Sequence, residues 1–201
     1  MRLANVASKD ILLVERFDRR RAEDGWTHKA MVSALTLLGL DEMMVRYASY
    51  EDLAEIIRHR FTSPKTTLRE LYARLVFNIL RGNTDDHARN HPGFWDGKSL
   101  KLTPAYDICP QNRSGNVASQ AMLIIGNKRA STLATSLEAA PNFQLSEAAA
   151  IDLIAQQISV VRDSWHDICD EAALTEVERN LFDQRIFLNN YIFDGMSKTR
   201  W

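Results

Sequence analysis

The stretch SEAAAIDLIAQQISVVRDSWHDIC, opening at Ser146, constrains the fold more than any other part of the chain, because it is long, amphipathic and patterned with the helical period. A helix of that kind must lay its apolar stripe on other elements, and the sequence supplies them. The same period recurs in YEDLAEIIRHRF, in TTLRELYARLVFNIL and in TEVERNLFDQRIFLNNYIF. Thr67 with Glu70, and Thr175 with Glu178, stand at capping-box spacing. From Thr27 onward, Met31, Ala34, Leu35 and Leu38 recur at three- and four-residue intervals up to Gly39, a residue suited to stopping a helix. Helices are predicted around residues 27–39, 50–61, 67–80, 146–170 and 175–192.

The β signal is short. DILLVERFD holds a run of β-formers that breaks into charge, which predicts one strand over ILLVERF, and RRRAEDGW after it reads as a turn. In GFWDGKSLKLTPAYDICP the Asp96-Gly97 dipeptide sits between short apolar pieces, the pattern of a small hairpin. No repeat, low-complexity tract or linker divides the chain, so one mainly α lobe with a few strands near its start is the simplest organisation.

Composition excludes several function classes. With 201 residues and 45% apolar content the chain can bury a real core, and its net charge of −1 gives no general surface for direct nucleic-acid binding. Cys109 and Cys169 are far apart and lack zinc-ligand spacing, so neither a disulfide framework nor a structural zinc is expected. No apolar run is long enough to cross a membrane, and the N-terminal ILLV is no signal peptide; the expected location is cytoplasmic.

The chemistry concentrates in NTDDHARN, residues 83–90. Three readings compete. Asn83, Thr84, Asp85 and Asp86 are residue types that cap helices and close turns. Asp85, Asp86, His87 and His91 offer ligands for a metal-dependent hydrolase, although Pro92 disfavours the helix that would bring the two histidines together. Asp85 and Asn90 have the Asp–x4–Asn separation of a kinase catalytic loop, in which the Asp receives the substrate hydroxyl's proton and the Asn holds magnesium. That loop needs a second metal-binding carboxylate after a hairpin, and Asp107 in PAYDIC stands there. The spacing suits phosphoryl transfer, which depends on positioning and on cancelling phosphate charge.

LLVERFDR, GNTDDHARN and LTPAYDICP, in that order, resemble the C-terminal part of HipA-type serine/threonine kinases, the toxin kinases of bacterial toxin–antitoxin pairs, and the likeness covers nearly the whole chain. It implies a kinase-like C-lobe using ATP and magnesium. In that lobe Asp85 would be the catalytic base and Asn90 and Asp107 the magnesium ligands. His87 and Arg89 would lie beside the nucleotide, and Glu15, Arg16 and Phe17 would form the hinge whose backbone meets adenine. His87 is equally readable as bracing the turn, and His91 reads as structural. Residues 1–20 would be the hinge strand and turn remaining from the inter-lobe region, and 21–201 the helical lobe. Implied partners are a small DNA-binding antitoxin and a protein substrate such as an aminoacyl-tRNA synthetase.

The chain departs from the family pattern before the hinge. The phosphate-binding loop and strand lysine that grip the nucleotide have no room ahead of Glu15, and Lys9 lies at the wrong end of its strand to serve. GFWDGKS has three rather than four residues between Gly93 and Gly97, so it is no Walker loop. Arg16, Arg19, Arg20 and Arg21 could meet phosphates or an acidic partner, or simply be solvated. The expectation is a catalytic lobe lacking its N-lobe, either truncated or completed by a separately encoded partner bearing the nucleotide loop; the alternative is a catalytically silent lobe acting as a binding or regulatory module.

Overall fold

The computed structural model describes residues 1–112, 115, 117–183 and 185–197. Two helices form the centre. Helix α2 (Tyr50–Arg60) buries Tyr50, Leu53, Ala54 and Ile57, one face at helical spacing. Ser49 caps it, accepting from the Asp52 N–H at 3.0 Å. Glu51 and Asp52 lie in its first turn and Arg58, His59 and Arg60 in its last, charges that oppose the helix dipole at each end. Helix α3 (Pro64–Leu80) is enclosed along most of its length, with Leu68, Leu71, Tyr72, Leu75, Val76, Ile79 and Leu80 buried. Each such side chain contributes about 1.5–3 kcal/mol by leaving water. Helix α4 (Leu133–Ala139) and the long α5 (Glu147–Glu171) close the core against α3. The predicted helix over 146–170 is therefore present, with Ser146 as its cap.

Other boundaries differ from the expectation. The helix predicted from Thr67 begins at Pro64, where proline's missing N–H costs nothing, and Thr67 is buried inside it rather than capping it. The span 27–39 is helical only in α1 (Ala34–Leu37); before it, β4 (Gly25–His28) and β5 (Met31–Val32) are strands. Pairing with a distant strand overrides the local spacing: Met31 lies opposite Phe94 and Val32 opposite Gly93. The span 175–192 holds α6 (Glu176–Phe182), opened by the expected Thr175–Glu178 capping box, and a single 3-10 turn at Asn190–Phe193. Between them the chain bends so that the Leu188 N–H reaches the Leu80 carbonyl at 2.7 Å and Ile186 is buried. Residue 184 of that span lies outside the described residues, as do 113, 114, 116 and 198–201 of the lobe.

The N-terminal region is two ribbons, not one strand and a turn. β1 (Arg2–Val6) pairs with β2 (Lys9–Leu13), and β3 (Arg19–Ala22) pairs with β4 in the segment read as a turn, so that the second ribbon straddles residue 20. The strand predicted over ILLVERF stops at Leu13, leaving Glu15, Arg16 and Phe17 in the irregular connection between ribbons. The hairpin predicted around Asp96-Gly97 is present: β6 (Gly93–Trp95) and β7 (Leu100–Leu102) join β5 in a three-stranded antiparallel sheet. Asp96 Oδ1 accepts from the Lys98 and Ser99 N–H groups at 2.8 and 2.7 Å, tying its own turn. Cys109 and Cys169 are free, and among the described residues no helix is long and apolar enough to cross a membrane.

Candidate functional site

The loop carrying NTDDHARN leaves α3 at Gly82. Gly82 has φ +70°, and a Cβ there would stand 2.8 Å from the Ile186 carbonyl oxygen, so both the backbone turn and the close approach of the C-terminal segment require glycine. The loop is then pinned by its backbone. The Asn83 N–H donates to the Asn78 carbonyl at 2.9 Å, the Ala121 N–H to the Thr84 carbonyl at 3.0 Å and the Asn90 N–H to the His87 carbonyl at 2.9 Å. Asn83 also bonds Asn78 through their side chains at 3.0 Å.

Neither aspartate caps a helix. Asp85 is exposed and its carboxylate makes no hydrogen bond or ion pair among the described residues. Asp86, its neighbour, is 3% exposed. Its Oδ2 lies 2.9 Å from His91 Nε2 and accepts from the Tyr50 hydroxyl of α2. Burial alone would raise the Asp86 pKa, but the His91 ring and the hydrogen bonds from His91, Tyr50 and Asn78 outweigh it and hold the carboxyl below its ordinary value. Burial and the adjacent Asp86 charge push the Tyr50 phenol well above its ordinary value. Asp86 and His91 are thus spent on each other, and among the described residues no three His, Cys, Asp or Glu side chains gather around a common point as the hydrolase reading needs.

The other kinase-type residues fall as follows. Asn90 ends a 3-10 turn (Ala88–Asn90), buried, with its Nδ2 unpartnered. Asp107 is exposed at φ +54°, left-handed backbone that few non-glycine residues adopt, and among the described residues its carboxylate makes no hydrogen bond or ion pair. Asp107 therefore presents a carboxylate of the kind magnesium takes, while at Asn90 the atom left without a partner is the amide nitrogen. Two contacts join their segments: the Tyr106 hydroxyl donates to the Arg89 carbonyl at 2.6 Å, and the Arg81 guanidinium donates to the Ile108 carbonyl. Phe17 joins the same place, its ring 5.7 Å from that of Tyr106 and 6.0 Å from that of Phe94. The structure thus brings the Glu15–Phe17 connection and the segments bearing Asn90 and Asp107 together around Tyr106.

Several implied nucleotide contacts are engaged elsewhere or open. The Arg89 guanidinium pairs with Glu42, and Arg16 makes a two-pronged pair with Asp18 at 2.8 and 2.6 Å. Arg16 holds the half-buried Asp18 carboxyl down at about 2. Glu15 is exposed, and His87 is half-buried with an unpartnered Nδ1. Beneath the loop lies a cavity of about 240 Å³ lined by Asn78, Asp86, Asn90, His91, Tyr106 and Gln157, among others. Tyr50 and Tyr106 carry no signal in the sequence. Tyr50 stands 36 positions before the aspartate it serves, and Tyr106 was visible only as the neighbour of Asp107.

Comparison with known proteins adds a family likeness. A profile described as the HipA-like C-terminal domain matches residues 1–165. A protein of Sinorhizobium fredii named "Putative kinase Y4mE" is 26% identical over 162 residues, covering 78% of this chain and 38% of its own length. A Haemophilus influenzae protein named "Putative kinase" is 28% identical over 103 residues, covering 48% of this chain and 29% of its own. Among solved structures, the toxin–antitoxin complex of HipA, HipB and operator DNA from Shewanella oneidensis MR-1 matches with a TM-score of 0.71 at 18% identity, over 95% of this chain and 50% of that one, a likeness of fold. This chain spans half or less of the length of each.

Proposed function

Because the chain belongs to the HipA-like C-terminal domain family, we propose that it is the catalytic lobe of an ATP- and magnesium-dependent serine/threonine protein kinase of the toxin–antitoxin type. The observation that carries this is the meeting at Tyr106: the Asp85–Asn90 loop, the segment of Asp107 and the Glu15–Phe17 connection are joined there by the bonds to Arg89 and the ring of Phe17. A hinge, a catalytic loop and a metal-binding carboxylate have to share one cleft in such an enzyme.

In this reading the exposed Asp85 carboxylate, with no competing partner, orients the acceptor hydroxyl and takes its proton. Asn90 and Asp107 hold magnesium through oxygen, and the Glu15–Phe17 backbone receives adenine. His87 lies beside the nucleotide, as does Arg89 once released from Glu42. Bound Mg-ATP supplies the phosphoryl group and the neutralisation of its charge. The chain spans half or less of its relatives, so the groups that grip the β- and γ-phosphates are assigned to further polypeptide, an N-lobe, separately encoded or otherwise. A small DNA-binding antitoxin and a protein substrate of the aminoacyl-tRNA synthetase class are the partners the family resemblance suggests, and the HipA–HipB complex supports the first.

The test is transfer of radiolabelled phosphate, with nucleotide affinity measured in parallel, by the chain alone and with an N-lobe supplied. Alone, it should bind Mg-ATP weakly and transfer negligibly; with the lobe, transfer should appear. Asp85→Ala should then reduce transfer by about 10²–10⁴-fold and leave nucleotide binding largely intact. Asp107→Ala should weaken Mg-ATP binding itself. Full transfer by Asp85→Ala would remove the catalytic assignment, and binding without transfer under every condition would leave the silent regulatory lobe.

A further inference from the structure

We propose that Asp86, His91 and Tyr50 form a clamp beneath the loop that fixes the spacing of Asp85 and Asn90, with Asp86 and His91 acting as positioning residues; the inference rests on the kinase reading above. Asp86 directly follows the candidate base, and His91 directly follows the candidate metal ligand. The clamp side chains therefore leave the backbone at the two ends of the segment that carries the chemistry. They meet at one atom, Asp86 Oδ2, which takes His91 Nε2 at 2.9 Å and the Tyr50 hydroxyl. All three residues are nearly or wholly sealed from solvent, at 3%, 2% and 0% exposed. Asp85 is exposed while its neighbour Asp86 is buried.

Stability alone is a poor account of this trio. A buried ion pair is often no more stabilising than apolar side chains of the same volume, and Tyr50 is already flanked by the enclosed apolar residues Leu53 and Ala54 of α2. A carboxylate held by an imidazole and a phenol provides direction, locking the loop's two ends at one distance from each other and from a rigid helix. Packing does not do this by itself, because the 240 Å³ cavity lined by Asp86, Asn90 and His91 leaves the loop room to sag when a strut is cut. A misplacement of about 1 Å in such a site costs on the order of 10²-fold in rate.

The experiment uses the full chain and two readouts: amide hydrogen exchange across residues 84–91, and the magnesium concentration giving half-maximal binding of a fluorescent ATP analogue. In His91→Ala, exchange across 84–91 should accelerate at least about tenfold while α3 and α5 keep their protection, and the magnesium requirement should rise about tenfold. His91→Gln, which retains an N–H donor, should recover most of both. Tyr50→Phe should lie between wild type and His91→Ala, and serves as the test variant should His91→Ala fail to fold. Unchanged exchange across the loop, or a His91→Gln variant no better than His91→Ala, overturns the clamp. If the wild-type chain binds no nucleotide at any magnesium concentration even with an N-lobe supplied, the kinase reading fails, and the exchange data alone decide whether the clamp stands.

Discussion

Residues 1–28 and the helical body carry similar apolar side chains and dispose of them in opposite ways. In the first ribbon and just after it, Leu3, Val6, Ile11, Leu12, Leu13 and Val14 stand between 39% and 58% exposed. In α2 and α3, Leu53, Ile57, Leu68, Leu71, Leu75, Ile79 and Leu80 are fully enclosed. A two-stranded ribbon has no second layer on which to bury its faces and is marginal by itself, whereas the helices bury theirs on one another. The candidate site lies across that divide. Its loop is seated on the self-sufficient body, and its hinge hangs from the ribbons by Phe17.

That contrast predicts where substitutions will hurt. The largest loss should come from Asp86→Ala, which strands a buried imidazole and phenol: about 3–5 kcal/mol, read from the urea midpoint at pH 7. Acid should remove part of the same contribution. The Asp86 carboxyl titrates below its unfolded value, so its stabilisation is complete above the ordinary carboxylate range of about 4 and is lost as the pH falls through the folded value. The difference in midpoint between wild type and Asp86→Asn should therefore shrink as pH drops below about 4. Gly82→Ala should cost about 2–3 kcal/mol, from left-handed backbone and contact with the Ile186 carbonyl. Smallest of all, Leu12→Ser and Arg16→Ala in the ribbons should change the midpoint by no more than about 0.5 kcal/mol, because neither side chain has a buried partner. A ribbon substitution as costly as Gly82→Ala would show that the two regions form one cooperative core after all.

What the sequence made legible follows the same divide. Helices α2, α3 and α5 announce themselves because their period is local and their packing obeys it. The Asp96-Gly97 hairpin does so because turn chemistry is local too. The spacing at Met31, Ala34, Leu35 and Leu38 misled because β5 is made by Phe94 and Gly93, some sixty positions away. The second ribbon was missed because a strand reading Arg-Arg-Arg-Ala, exposed on both faces, has no alternation to detect. In the site, Asp85, Asn90 and Asp107 could be picked out by interval. Asp86 looked like their equal, yet only folding separates the outward carboxylate from the inward one. Tyr50 gave no sign, since nothing near it in the chain reveals its partner.

The docking of the C-terminal segment on the start of the loop bears on how the protein is made. Leu188 bonds the Leu80 carbonyl and Ile186 crowds Gly82, so the exit from α3 receives its last support from residues more than a hundred positions downstream. Synthesis runs from the N-terminus and contacts of long separation form late. The nascent chain therefore carries every residue of the loop well before it can hold that loop in place. A half-made copy is structurally immature at the very site that gives the finished one its proposed activity.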